Sequence, residues 1–221
     1  MTCGSKDSKS PDYRRVRSIL LPFHGLEGYL TPLSSLTEIH SFSVNGNKIS
    51  GSIPQSFFNM PKLQSLYLNE NQLTGSIPSI ASFKSPLIYA YLNNNRLKGT
   101  IPESLSMLTG LQTLQLGDNL LTGTIPSTLR DISSLYQLFL AHNLLSGTIP
   151  VLDQSSLQGI DLSANYLTMG SLKEVPLSTF KESGGDMGFY LNLESNCLVF
   201  RNPIRPSQNV EATHCKGKQL H

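Results

Sequence analysis

Aliphatic residues recur along this chain at fixed distances from an asparagine. In the stretch LQSLYLNENQLTGSIPSIASFKSP, Leu63, Leu66 and Leu68 stand eight, five and three residues before Asn71, and Leu73 stands two after it. With the asparagine as position 0, the pair at −5 and −3 has the two-residue period of a strand whose alternate side chains face one way. Each copy therefore predicts one short strand, with positions −6 and −4 turned to the opposite face. Ile-Pro pairs at Ile53, Ile77, Ile101, Ile125 and Ile149 follow Asn47, Asn71, Asn95, Asn119 and Asn143, each 24 residues after the last. Asn165 comes 22 residues after Asn143, and Asn196 follows 31 later, across a degenerate Val175-Pro176. At the other end VRSILLPFHGLEGYL matches with His24 in the asparagine slot, which makes eight units from Val16 to about Leu198.

A period of this length marks a coil of stacked turns. Side-by-side strands would form a parallel sheet about 4.8 Å apart, with Leu121, Ile125 and their equivalents filling the interior behind it. The asparagine is the one polar residue expected inside. An amide both donates and accepts, so a column of Asn47, Asn71, Asn95, Asn119, Asn143, Asn165 and Asn196 can satisfy backbone groups of adjacent turns. A central member such as Asn95 would then serve both sides and matter more than Asn196 at the end. His24 is expected to substitute for the amide in the first turn. The glycine four residues on, as in Gly75 and Gly123, predicts a positive φ or a close backbone approach.

The repeated LxxLxLxxNxLxGxIP resembles the plant-type leucine-rich repeat of receptor-like ectodomains and polygalacturonase-inhibiting proteins, over about four-fifths of the chain. The resemblance implies an α/β-type repeat fold, a leucine-rich-repeat solenoid of about eight 24-residue turns with a parallel sheet on the concave face. It also implies a second small sheet along the LxGxIP segments. The expected domains are a remnant of an N-terminal cap at 1–15, the solenoid at 16–198 and a C-terminal cap at 199–221. Capping disulfides occur at this place in the resembled proteins, which implies a Cys197–Cys215 bridge, the alternative being two free thiols. Cys3 would lie more than about 30 Å from that cap after seven inter-turn steps, too far to bridge. It resembles the last cysteine of a capping segment whose partner lies upstream. That implies a piece of a longer chain and an extracellular or cell-surface setting, although no signal-peptide pattern precedes the repeats.

Charge changes the picture only by exclusion. With 17 basic and 15 acidic residues scattered over 221, there is no clustered footprint for nucleic acid, and no apolar run is long enough to span a membrane. No phosphate loop, Cys-x-x-Cys, His-Glu-x-x-His or Gly-x-Ser-x-Gly occurs, so neither cofactor, metal nor catalysis is expected. His40 and His142 are expected at the surface. Glu70, Asp118 and Asp161 fall in separate turns and do not make a catalytic pair.

What remains is recognition. Strand alternation carries Tyr67, Tyr89, Tyr91 and Phe139 to the concave face, flanked by Gln115, Tyr136 and Gln137, and clustered exposed aromatics mark interaction surfaces. The expected function is a non-catalytic binding module for a protein or peptide, either receptor-ectodomain-like or inhibitor-like. Two alternatives stand beside it. Rings on the same face could stack on a glycan, and hydroxyl columns (Ser50, Thr74, Thr122 and Ser146; Ser52, Ser76, Thr100, Thr124 and Thr148) could make a structural or ice-associated surface.

Overall fold

The computed structural model describes residues 16–33, 35–81, 85–168, 190–192 and 196. The expected caps at 1–15 and 199–221, the three cysteines and Val175-Pro176 lie outside them.

Eight three-residue strands form one parallel sheet in chain order: Ser18–Leu20, Ser41–Ser43, Ser65–Tyr67, Tyr89–Tyr91, Thr113–Gln115, Gln137–Phe139, Gly159–Asp161 and Tyr190–Asn192. Their register follows the asparagine numbering: Leu66 pairs with Ala90, Ala90 with Leu114, and Leu138 with Ile160. The 22-residue and 31-residue spacings are thus absorbed outside the strands. Positions −8, −5 and −3 point into one continuous core running from Ile39 to Leu167. The residues at +2 and +6, such as Leu121 and Ile125, close it from behind.

The LxGxIP segments form two short parallel sheets alongside. One joins Glu27–Tyr29, Lys48–Ser52 and Gln72–Thr74; the other joins Lys98–Gly99, Leu120–Gly123, Leu144–Thr148 and Tyr166–Thr168. Across the gap, Lys98 N still donates to Gly75 O at 2.8 Å, so the turns stay tied. No α-helix occurs among the described residues. The outer side carries 3₁₀ segments at Gln55–Asn59, Glu103–Met107 and Ser127–Asp131, each entered through the proline of an Ile-Pro pair. Five residues give room for one tight turn, and a fixed proline φ starts it.

The asparagine column is hydrogen-bonded in one direction. Asn119 Oδ1 accepts from Leu97 N at 3.0 Å, while its Nδ2 lies 3.1 Å from Leu92 O, 3.0 Å from Leu116 O and 3.1 Å from Gly117 O. Leu97 and Leu92 belong to the preceding turn, Leu116 and Gly117 to its own. Asn71, Asn95, Asn143 and Asn165 repeat this pattern, and Asn196 Oδ1 likewise reaches back to Leu167 N. The structure therefore corrects the expectation that a central amide serves both neighbours: from Asn71 to Asn165 each side chain bonds the turn before it and its own turn, and not the turn after, so position along the column does not by itself rank Asn95 above Asn196. At the N-terminal end Asn47 Oδ1 accepts from both His24 N and Leu26 N. The exposed His24 ring reproduces only the bond to the carbonyl two residues back, that of Pro22.

The turn around each asparagine needs a left-handed residue at −1, a feature not expected from sequence. Phe23, Glu70, Asn94, Asp118, His142 and Ala164 all hold φ between 50° and 56°, and Gly46 holds 67°. An L-residue pays strain there. Inter-turn bonds offset it, since Glu70 N donates to Asn93 O, Asp118 N to Ala141 O and His142 N to Ser163 O.

Glycine at +4 answers a second constraint. Gly123 has φ +78°, and a Cβ there would sit 2.8 Å from Thr100 Cγ2; at Gly99, φ +77°, the nearest atom would be Ser76 Cβ at 3.6 Å. Both alanine variants should lose about 1–3 kcal/mol for the backbone conformation. Gly123→Ala should lose more than Gly99→Ala, because only it also meets a methyl group. Urea midpoints would compare them, and equal losses would mean that Thr100 moves aside at no cost.

Candidate functional site

With −5 and −3 spent on the core, positions −6 and −4 of each strand are left on the concave face, and −7 sits at their entrance. Tyr67 and Tyr91 are paired across neighbouring strands at −4, and their rings stack at 4.9 Å with 28° between planes. Such stacking turns ring faces toward each other and leaves edges and hydroxyls outward. Burial raises the Tyr91 phenol above its ordinary value, with the nearby Tyr67 adding to the rise, a hydrogen bond with Thr113 opposing it, and Tyr89 adding a little more.

The polar groups between the rings are linked as well. The Tyr89 hydroxyl donates to Gln112 Oε1 at 3.4 Å, and Thr113 Oγ1 donates to Gln137 Oε1 at 3.5 Å. Phe139 leans toward the next strand over Gly159, where a Cβ would come within 3.4 Å of both Phe139 Cε1 and Gln137 Cγ. Tyr136 is 37% exposed at the entrance of its strand, and Gln115 is half-buried between Tyr91 and Phe139 in the −4 row. All seven residues singled out in the sequence thus lie on three turns and the strand before them. Gln112, Thr113 and Gly159 were not singled out. Their signal was available, since Gln112 and Thr113 occupy −7 and −6 of one of these turns and Gly159 occupies −6 of the next, but none is aromatic.

The other candidates are dispersed. His40 is half-buried with Nδ1 2.7 Å from Glu38 O, and His142 is exposed at the −1 turn. Asp161 Oδ1 accepts from the hydroxyl and the backbone N–H of Ser163. Among the described residues no group of three or more His, Cys, Asp or Glu is placed to hold a metal, and no helix is long and apolar enough to cross a membrane. The ion pairs Lys48–Glu27, Lys62–Glu38 and Arg130–Asp153 tie consecutive turns away from the tyrosines. The hydroxyl columns lie along the second sheets, where Lys98 interrupts one of them. Two of their hydroxyls, Ser50 Oγ and Thr122 Oγ1, donate to glycine carbonyls of the preceding turn.

Comparison with known proteins agrees with this architecture. One leucine rich repeat family model matches residues 90–145, and another matches 38–60 and 62–83. No curated protein matches the chain in sequence. Among solved structures, the Arabidopsis receptor kinase HAESA, in complex with the peptide hormone IDA and the co-receptor SERK1, is 31% identical with a TM-score of 0.69. That match covers 78% of this chain and 28% of HAESA, so the chain spans under a third of that relative. A Pollen Receptor Kinase 3 is 27% identical over 89% of this chain and 79% of its own, with a TM-score of 0.60. A plant ice-binding protein, 24% identical over 86% of this chain and 67% of its own, shares the fold at a TM-score of 0.61. The repeat motif, the parallel solenoid and these matches together make the chain a leucine-rich-repeat protein of the plant type.

Proposed function

We propose that this chain is a non-catalytic recognition module that binds a protein or peptide on its concave face, in an extracellular or cell-surface setting. One observation carries the proposal: Tyr67, Tyr89, Tyr91, Tyr136 and Phe139 remain accessible on one face while the leucines between them are fully used by the core. A face that is spent on neither packing nor ion pairs, yet retains large rings, is the kind that gains most from being desolvated by a partner. Support also comes from HAESA, a structural neighbour solved with a peptide hormone.

The glycan alternative uses the same face but is less well matched, because Tyr67 and Tyr91 stack on each other and withdraw ring faces that a sugar would need. The hydroxyl-array alternative has an interrupted column and partly engaged hydroxyls.

The test is a panel of synthetic secreted peptides offered to immobilised wild-type protein, Tyr91→Ala and Leu144→Ala. Peptides held by the wild type should bind Tyr91→Ala at least tenfold more weakly, about 1.4 kcal/mol, and Leu144→Ala equally well. The melting temperature of Tyr91→Ala should stay close to that of the wild type. Equal binding by Tyr91→Ala would remove the site from the concave face, and unfolding would make the ring part of the core.

A further inference from the structure

We propose that Tyr67 and Tyr91 form an oxidative modification site, at which hydrogen peroxide and a haem peroxidase couple the two phenols, ortho carbon to ortho carbon, into a dityrosine that joins neighbouring turns. The cross-link itself does not depend on what binds the concave face. Its effect on recognition rests on the reading above.

The geometry is that of two reactants already assembled. Tyr67 and Tyr91 are partners in one parallel register, so both side chains leave the sheet at the same level and in the same sense. Their ring centroids are 4.9 Å apart, close to the usual strand spacing of about 4.8 Å. The rings therefore stand side by side without slipping along the strands, and like carbons face like carbons. Removing a hydrogen atom from a phenol hydroxyl leaves a radical whose unpaired electron is shared with the ortho carbons. Coupling two such rings is then an encounter within one molecule. Holding reactants in this way gives an effective concentration of about 10⁵ M or more in well-oriented cases.

Among the described residues, no other two tyrosine rings are in contact. Tyr29 and Tyr136 are 78% and 37% exposed, yet no second phenol among those residues stacks on either. Tyr89 shares a strand with Tyr91, but its hydroxyl is turned to Gln112 Oε1. The sequence contains no tryptophan, the other aromatic side chain that readily gives up one electron to such oxidants. Tyr67 and Tyr91 are only half-buried, and with their ring faces covering each other it is the hydroxyls that an oxidant meets.

The place of the bond gives it a mechanical consequence. The second sheet is broken between Gln72–Thr74 and Lys98–Gly99, where backbone bonds from Arg96 N to Leu73 O and from Lys98 N to Gly75 O, both 2.8 Å, tie the turns. A covalent link from Tyr67 to Tyr91 staples those same two turns and restricts the unfolded chain between them. The step balances. Each phenol gives up one electron and one proton, and the two radicals form one carbon–carbon bond. The hydrogens displaced from the two ortho carbons move to the phenol oxygens, while peroxide takes two electrons and two protons and becomes two waters. The stack must open for the ring edges to bond, so both rings leave the positions from which they would meet a partner.

Dilute wild-type protein, Tyr67→Phe, Tyr91→Phe and Tyr89→Phe would be treated with hydrogen peroxide and a catalytic amount of haem peroxidase, digested with trypsin and mapped by mass spectrometry. Phenylalanine keeps each ring and its packing, so the fold is not at issue. Cleavage after Lys62, Lys84 and Arg96 puts Tyr67 in peptide 63–84 and both Tyr89 and Tyr91 in peptide 85–96. The main product should be a monomer lighter by two hydrogen atoms with these peptides joined. Its yield should fall at least tenfold in Tyr67→Phe and Tyr91→Phe and change less than twofold in Tyr89→Phe. Links spread over Tyr29, Tyr136 and Tyr166, dimers as the main product, loss of the link in Tyr89→Phe, or no link at all would each overturn the site. The purified cross-linked protein would then be offered the peptides that the wild type retains. Binding weakened at least fivefold supports the effect on recognition, and unchanged binding overturns that effect while the modification site stands. Equal binding of those peptides by Tyr91→Ala is the separate failure of the concave site.

Discussion

Replacing Asn119 by aspartate should destabilise this protein more than replacing it by alanine, although aspartate has the same shape. Asn119 is 6% exposed, and its Nδ2 faces three carbonyl oxygens within 3.1 Å. An oxygen in that place turns three attractive contacts into repulsive ones and buries a charge without a partner. Breaking a buried polar arrangement in this way costs about 3–5 kcal/mol. Alanine leaves Leu97 N and the carbonyls without their side-chain partner but introduces no repulsion, and a buried group left unsatisfied costs about 1–3 kcal/mol. The aspartate penalty should depend on pH. Burial and the carbonyls push the folded-state pKa of the new carboxyl above its unfolded value of about 3.9. The protonated form is therefore the one the fold prefers. The variant should lie nearest to wild type below that unfolded value, lose stability as pH rises toward the folded pKa, and stay at a constant deficit above it. Urea midpoints of wild type, Asn119→Asp and Asn119→Ala from pH 3 to pH 8 would measure this. If the aspartate variant is milder than alanine at pH 7, the column is not the donor ladder described above.

The second large effect separates two adjacent leucines. Leu144 and Leu145 have the same chemistry and neighbouring places, yet Leu144 is 42% exposed and Leu145 is fully buried. Position +2 points into the core behind the ladder, and Leu145 N is held by Asn165 Oδ1, which fixes its direction. Leu145→Ala should cost about 2–5 kcal/mol, the range for truncating a buried leucine when its surroundings relax only in part. Leu144→Ala should change stability by no more than about 0.5 kcal/mol, as surface changes usually do. Thermal melts of the two single variants suffice, and comparable losses would mean the register is wrong by one residue. The Leu120–Leu121 pair one turn earlier offers the same contrast, 42% against 0% exposed.

Much of the candidate site was legible because a strand has a period of two and the asparagine fixes its phase. Once Asn95 is set at zero, Leu87, Ala90 and Leu92 must be inside and Tyr89 and Tyr91 outside, and the burial follows that division. The same arithmetic does not say how two outward rings sit against each other. Tyr67 and Tyr91 are 24 residues apart, and whether they show faces or edges depends on how closely neighbouring turns approach. Nor could it single out Gly159, whose missing side chain matters only because Phe139 from the preceding turn leans over it.

The sequence by itself determined the repeat length, the strand in each turn, the buried leucines and the asparagine at each bend, because these are set by periodicity within a single turn. Only the tertiary structure decided what depends on contact between turns. The asparagines reach backward and not to both sides, since each amide fits the open carbonyl and N–H of the turn before it. Glu70, Asn94, Asp118, His142 and Ala164 share a left-handed backbone; Asn, Asp and His favour it, but Glu and Ala do not, and Glu70 is held in it by a bond to the next turn. The Gln112 and Gln137 carbonyl oxygens accept hydrogen bonds from Tyr89 and Thr113, 23 and 24 positions earlier, contacts that exist only once the turns are stacked.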